Sequence, residues 1–213
     1  MQPERTVLVT GGTCRIGKAI AEKLRGCGWR VAVSSHRSDA GADYIADFTD
    51  PGGAVRLFAK LMQKEPGLCA IVNNAALFRG DDETLRNVNY VAPEKLTMLL
   101  AGREDVKCSV VNILDTRVLG GLKPQTVYEE TKRDLLEFTQ KAAGLFADTM
   151  RVNGVAPGPV LPPVGGNEPA GEMLLDNRPT PEDIADAVAF LLDAKAVTGC
   201  VIPVDSGQHL LVV

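Results

Sequence analysis

Histidine is nearly absent from this chain. Only His36 and His209 occur in 213 residues, so no histidine-based metal centre can be assembled from it. Cysteine is sparse and odd in number. Cys14, Cys27, Cys69, Cys108 and Cys200 are widely spaced, and four of them stand in apolar or strand-like surroundings, which argues against both a disulfide framework and a zinc site. An excess of positive charge is lacking too: the formal net charge is −4, a balance that argues against nucleic acid as a partner. No apolar run approaches the ~18 residues that a membrane helix needs, and the N-terminus has no signal-peptide pattern. A cytoplasmic protein with no membrane partner is expected. Neither an internal repeat nor a domain linker is visible, and with 45% hydrophobic residues the chain can bury the core of one domain.

What is present begins at the N-terminus. Thr6 to Thr10 is a short β-branched apolar run, followed at once by the turn Gly11-Gly12-Thr13-Cys14-Arg15-Ile16-Gly17 and a helical pattern. Strand, glycine turn and helix N-terminus in that order make a dinucleotide phosphate site. The glycines let backbone approach a pyrophosphate, and the free N–H groups and helix dipole favour its charge. An ordinary glycine-rich connection is the alternative. Leu68 to Val72 reads as another buried strand, ending in Asn73-Asn74-Ala75-Ala76. Val106 to Leu114 reads as a third, ending in Asp115. Ligands of open α/β sheets bind beyond the carboxyl ends of the strands, so these polar terminators should converge on one crevice.

Tyr128 and Lys132 stand one helical turn apart, thirteen residues or more after Asp115. The i,i+4 spacing puts both side chains on one helix face, where an ammonium can lower the pKa of a phenol. Tyr128 is therefore a candidate proton donor.

These pieces, together with Asn89 in NVNYVAP, Arg151-Val152-Asn153, Pro157-Gly158-Pro159 and the C-terminal VTGCVIPVDSG, occur in an order and spacing that resembles the short-chain dehydrogenase/reductase family from end to end. Two departures narrow the resemblance. Arg15 stands where the family usually has a third glycine, and Asp115 where it usually has a serine. Both, with His36-Arg37-Ser38 after the second strand, resemble the pteridine reductases and dihydromonapterin reductases, which use NADPH to reduce pterin rings.

The chemistry of each replacement agrees. A serine hydroxyl can donate to a ketone oxygen that becomes an alkoxide, whereas an ionised carboxylate repels that charge. Reducing a ring C=N bond instead needs a proton on nitrogen, which an Asp bonded to Tyr128 can relay or replenish. Asp115 as a capping residue is the competing reading. Arg15 can hold a phosphate or a polar ring edge, or be a solvated surface residue.

An NAD site places an acid at the end of the second strand, while the 2′-phosphate of NADP needs positive charge and hydroxyl donors. Ser34-Ser35-His36-Arg37-Ser38, with Asp39 only afterwards, favours NADPH. The resemblance implies further cofactor contacts from Gly11, Thr13, Arg15, Ile16 and Gly17, from Asp47 and Phe48, from Asn74, Ala75 and Ala76, and from Lys132, Pro157, Gly158 and Val160. Asp47 is equally readable as a turn former. Phe78 falls where pteridine reductases stack an aromatic on the pterin, and is otherwise a packing residue. The implied catalytic set is Asp115, Tyr128, Lys132 and Asn89, with Asn89 positioning a water behind Lys132. Substrate would meet Arg15, Phe78, Asp115 and Tyr128. No metal is implied.

The expected fold is a single-domain α/β, Rossmann-like doubly wound parallel sheet of strand order 3-2-1-4-5-6-7 with helices on both faces. Helices are expected at Ile16 to Cys27, Gly53 to Gln63, Ala92 to Ala101, Val127 to Ala147 and Pro181 to Leu192, the last opened by Thr180-Pro181-Glu182-Asp183. A third strand is expected at DYIAD, and a short substrate lid around residues 157–180. Only sixteen residues separate Asn73 from Asn89, so the segment before the fourth helix is trimmed and the site more open. Three functions compete: an NADPH-dependent pterin reductase acting as a homodimer or homotetramer, a carbonyl reductase of a 3-oxoacyl thioester or sugar, and a non-catalytic nucleotide sensor on the same fold.

Overall fold

The computed structural model describes residues 5–38, 41–103, 105–120, 124–162 and 172–211. Seven strands form one sheet in the order β3-β2-β1-β4-β5-β6-β7, as expected, and every neighbouring pair is parallel. The central strands are β1 (Thr6–Thr10), β4 (Leu68–Asn73) and β5 (Cys108–Ile113), and all their residues are buried. Continuous apolar runs of this kind suit strands covered on both faces. β2 (Arg30–Ser35), β6 (Met150–Pro157) and β7 (Val201–Val204) extend the sheet.

Helices α2 (Gly53–Lys64), α4 (Ala92–Ala101) and α5 (Val127–Leu145) cover one face. Leu57, Leu61, Leu96, Leu100 and Ala142 pack there on Leu8, Ile71 and Val110. The other face is covered by α1 (Arg15–Gly26) and α6 (Pro181–Asp193), through Ile20, Leu24, Ile184 and Val188 against Val7, Val9 and Val72. Each fully buried Leu or Ile contributes roughly 1.5–3 kcal/mol relative to exposure, so truncating Leu8 or Ile71 to alanine would cost about 2–5 kcal/mol.

Several elements depart from the expected bounds. β3 is only Tyr44–Ile45 rather than the whole of DYIAD, because Asp43 Oδ2 accepts the amide of Val33 at 2.9 Å and so takes the place of a backbone partner at this sheet edge. Asp47 turns away to bond Thr49. β5 starts at Cys108 rather than Val106. Ahead of α4 stand a short helix, α3 (Asp82–Arg86), and a π-helical turn, Asn87–Val91, which the sequence pattern had assigned to a connection. Asp81 caps α3 by accepting from Thr84, an Asp-to-N3 signal that five helical residues are too few to make periodic.

Two of the glycines held by close contact shape the groove. A Cβ on Gly17 would stand 2.2 Å from the carbonyl oxygen of Gly11, so only glycine lets α1 start so close to the turn after β1. A Cβ on Gly158 would meet Asp205 Cα at 2.7 Å, which is why the loop leaving β6 can lie against the end of β7. Of the expected lid, residues 163–171 lie outside the described residues. Its described ends are tied down: Arg178 donates to the carbonyl of Pro159, and the amides of Leu174 and Leu175 donate to Ser206.

Candidate active site

The carboxyl ends of β1, β2, β4, β5 and β6 open into two adjoining clefts of about 460 and 710 Å³. Arg15, Ile16, Asn74, Ala76 and Leu77 line both, so the clefts form one continuous groove.

The first cleft is built on the glycine turn. Gly11 has φ +63°, and Arg15 is in the same left-handed region at φ 52°, the backbone that a glycine would hold without strain. The chain keeps a strained arginine there, and its guanidinium donates to the carbonyl of Pro162 at 2.5 Å. Cys14 opens α1 without a side-chain cap, and no acid stands in the first turn. The first-turn amides therefore face the cleft as an uncompensated positive end. Thr10 ties this turn to β4, its hydroxyl accepting from the amides of Asn74 and Ala75, while Asn74 Nδ2 donates to the carbonyl of Thr10. Of the residues expected here, Gly11, Arg15, Ile16, Gly17, His36, Asp47, Phe48, Asn74, Ala75 and Ala76 line the wall. Thr13, Arg37 and Ser38 flank it without forming it; Arg37 and Ser38 are exposed. Asp39 lies outside the described residues. Asp47 lines the cleft and also closes a turn on Thr49.

The second cleft brings Arg15, Phe78, Asp115, Tyr128, Lys132, Pro157, Gly158 and Val160 together. Thr126 caps α5 by accepting from Glu129, which starts the helix so that Tyr128 and Lys132 share its inward face. Tyr128 Oη donates to Asp115 Oδ2 at 3.0 Å. Asp115 is also the N-cap of a 3-10 turn, Thr116–Val118, accepting the amide of Arg117 at 3.0 Å. The capping and the Tyr128-bonding readings are thus both fulfilled by one carboxylate. Phe78 meets Tyr128 edge-on, with ring centroids 4.9 Å apart.

Lys132 is buried, donating from Nζ to the carbonyl of Ile113 at 2.8 Å, 5.9 Å from the centroid of the Tyr128 ring. Burial lowers its pKa to about 8 against the opposing pull of Asp115. Tyr128 departs from expectation. Its pKa is raised well above the usual phenol value, by burial first and then by the charge and hydrogen bond of Asp115. The spacing gave the ammonium but not the carboxylate, and the carboxylate is nearer. Asn89 reaches Thr131, the neighbour of Lys132 in the chain. It is fully buried in the π-helical turn, where its amide accepts from the amide of Leu77 and donates to the carbonyl of Leu77 and to Thr131 Oγ1. It clamps the loop that carries Phe78.

Two contributors were not anticipated. Arg117 grips Asp115 with Nε and Nη2 at 3.1 and 3.0 Å and lies 5.3 Å from the centroids of both Phe78 and Tyr128. Its only sequence signal is its place two residues after the strand-end acid. Asp205 accepts from Thr116 Oγ1 and meets His209 Nδ1 at 2.8 Å, tying the chain after β7 to the turn that carries Asp115.

The family model described as enoyl-(acyl carrier protein) reductase matches residues 13–209. The dihydromonapterin reductase of Citrobacter koseri is 28% identical over 233 residues, covering 96% of each chain, and that of Escherichia coli strain K12 is 26% identical over 231 residues at the same coverage. Among solved structures, FolM alternative dihydrofolate reductase 1 from Brucella canis, complexed with NADP, superposes with a TM-score of 0.83 at 30% identity, over 97% of this chain and 94% of that one. A blue fluorescent protein from a metagenomic library, in complex with NADPH, gives 0.86 at 25% identity, over 97% and 98%. With the parallel sheet, the glycine turn and the Tyr128–Lys132 pair in one groove, the chain belongs to the short-chain dehydrogenase/reductase family of oxidoreductases.

Proposed function

We propose that the chain is an NADPH-dependent reductase of a pterin-type ring, reducing a C=N bond of a dihydropterin or dihydrofolate-like substrate. The observation that carries this reading is the hydrogen bond from Tyr128 to Asp115, a carboxylate where the family usually has a serine. An acceptor at that place opposes an alkoxide and suits a ring that brings its own N–H groups. The names of the relatives, dihydromonapterin reductase and alternative dihydrofolate reductase, support the same substrate class.

The first cleft fits the cofactor on its own geometry, since the uncapped start of α1 and the close packing of Gly17 on Gly11 leave room and positive potential for a pyrophosphate. Gly11, Thr13, Arg15, Ile16 and Gly17 would hold it. His36, Arg37 and Ser38 would meet the 2′-phosphate, Asp47 and Phe48 the adenine, Asn74, Ala75 and Ala76 the adjoining ribose, and Lys132, Pro157, Gly158 and Val160 the nicotinamide end. When bound, the dihydronicotinamide supplies the hydride. Tyr128 gives a proton to the ring nitrogen, Lys132 places positive charge beside the phenolate left behind, and Asp115, 14% exposed at its side chain, connects Tyr128 to solvent for reprotonation. Arg15 and Phe78 line the substrate's place, and Asn89 holds the Phe78 loop. The segment around 157–180 acts as the lid. The reading carries with it a cytoplasmic homodimer or homotetramer; no helix among the described residues is long and apolar enough to cross a membrane.

The test is NADPH oxidation with dihydropterins, dihydrofolate and a 3-oxoacyl thioester side by side. Turnover with the pterins is expected. Turnover with the thioester alone would replace this reading with carbonyl reduction, and tight NADPH binding without any turnover would replace it with a sensor.

A further inference from the structure

Asp115 has no acceptor capacity left. A carboxylate offers about four lone-pair sites, and here four donors fill them: the amide and Nε of Arg117 on Oδ1, and Arg117 Nη2 and Tyr128 Oη on Oδ2. Two of these come from one guanidinium in the parallel fork geometry that binds carboxylates most strongly. The same guanidinium rests against the rings of Phe78 and Tyr128, and its Nη1 stands 3.6 Å from Glu129 Oε1, so it is held from several sides. The hydroxyl of Tyr128 is meanwhile engaged with Asp115.

We propose that Arg117 is the positioning residue that fixes the Asp115 carboxyl group as a hydrogen-bond acceptor at Tyr128, and so restricts the substrate to heterocycles that present an N–H donor beside the nitrogen that Tyr128 protonates. A substrate with such a donor takes over Oδ2 and releases the Tyr128 hydroxyl to turn toward the ring. The exchange also removes the hydrogen bond that raises the affinity of the phenol for its proton. A simple ketone has no donor and leaves the Tyr128–Asp115 bond in place. This inference rests on the reductase reading for its substrate, but the state of Asp115 does not depend on turnover.

The groups facing Asp115 are Arg117 on its own turn, Tyr128, Lys132 and Glu129 on α5, and, behind Thr116, Asp205 with His209. Arg117 and Lys132 are the cations of this set, and of the two the Arg117 fork alone bonds Asp115 directly. Removing the fork while keeping an apolar stem, as in Arg117→Met, leaves the carboxyl group free to turn.

The experiment is calorimetry with oxidised pterin in the presence of NADP⁺, which reads binding without turnover, on the wild type, Arg117→Met, Arg117→Lys, Asp115→Asn and the Arg117→Met/Asp115→Asn double variant. Affinity in Arg117→Met should fall about tenfold, Arg117→Lys should recover part of that loss, and Arg117→Met should cost nothing further once Asp115 is already Asn. An unchanged affinity in Arg117→Met overturns the proposal, as does the same loss in the Asp115→Asn background, which would mark Arg117 as packing only. No pterin binding to the wild type would overturn the substrate half. Absence of NADPH turnover with these binding results intact would overturn the reductase reading instead.

Discussion

The phenol of Tyr128 lies 3.0 Å from Asp115 Oδ2, so its hydroxyl is engaged with a carboxylate. If Tyr128 is the donor, removing its hydroxyl removes the proton and little else, because the ring still packs edge-on against Phe78. Tyr128→Phe should lower kcat by about 10²–10⁴-fold while NADPH binding, measured by fluorescence titration, stays at the wild-type level. A variant with near-native kcat would show that another group supplies the proton.

The cofactor preference rests on His36, Arg37 and Ser38 at the end of β2, where no acid is present to bind a ribose hydroxyl. Losing one charge-assisted contact to a 2′-phosphate costs about 1.5–3 kcal/mol, which corresponds to tenfold or more. Arg37→Ala should therefore raise the KM for NADPH at least tenfold and leave that for NADH unchanged. An equal rise for both cofactors would remove Arg37 from the phosphate site.

Much of this molecule was legible before any coordinates, and the reasons differ between fold and site. The strands showed as apolar runs bounded by glycine turns, since buried parallel strands leave so plain a signature, whereas their order in the sheet is what the resemblance to the family implies. Thr180-Pro181-Glu182-Asp183 announced the start of α6 because capping is local, and the structure has the reciprocal Thr180–Asp183 box. What escaped notice was set by contacts distant in sequence or by very short elements. The raised pKa of Tyr128 comes first from its burial and then from Asp115, thirteen residues away, and Asn89 bonds Leu77 from within a π-helical turn. Arg117 carries no motif of its own; only folding brings it over Phe78.

The capping box gives a stability prediction independent of function. Thr180 accepts from the Asp183 amide, and the Asp183 carboxylate accepts from the Thr180 amide at 2.8 Å. Thr180→Ala should cost about 1 kcal/mol, lowering Tm by roughly 2–4 °C in a thermal melt, with KM unchanged. An unchanged Tm would mean that α6 is held by its packing on α1 alone.

If the chain reduces pterins as proposed, Asp115 is the residue that distinguishes a pterin from a ketone. Asp115→Ser restores the hydroxyl that polarises a carbonyl and removes the acceptor for a ring N–H. Activity on a dihydropterin should fall while activity on a ketone rises or holds. Parallel losses on both, accompanied by a lower Tm, would instead assign Asp115 to capping the Thr116–Val118 turn.

Lys132 makes stability depend on pH in a direction opposite to that of a salt-bridged group. Burial lowers its folded-state pKa to about 8, against 10.5 for a free lysine. Below pH 8 both states carry the proton and the folded chain bears the full cost of a buried ammonium. Between about 8 and 10.5 the unfolded chain binds more protons than the folded one, so stability rises with pH, and above that window both are neutral and the gain is complete. Tyr128, with its pKa raised, acts in the other direction at the alkaline end, which a comparison with Lys132→Met cancels. Urea denaturation of the two proteins across this range should show the wild type gaining on the variant by an amount on the order of 3 kcal/mol. A difference that stays flat with pH would mean that Lys132 keeps its ordinary pKa in the folded chain, and that its contact with the Ile113 carbonyl compensates for its burial.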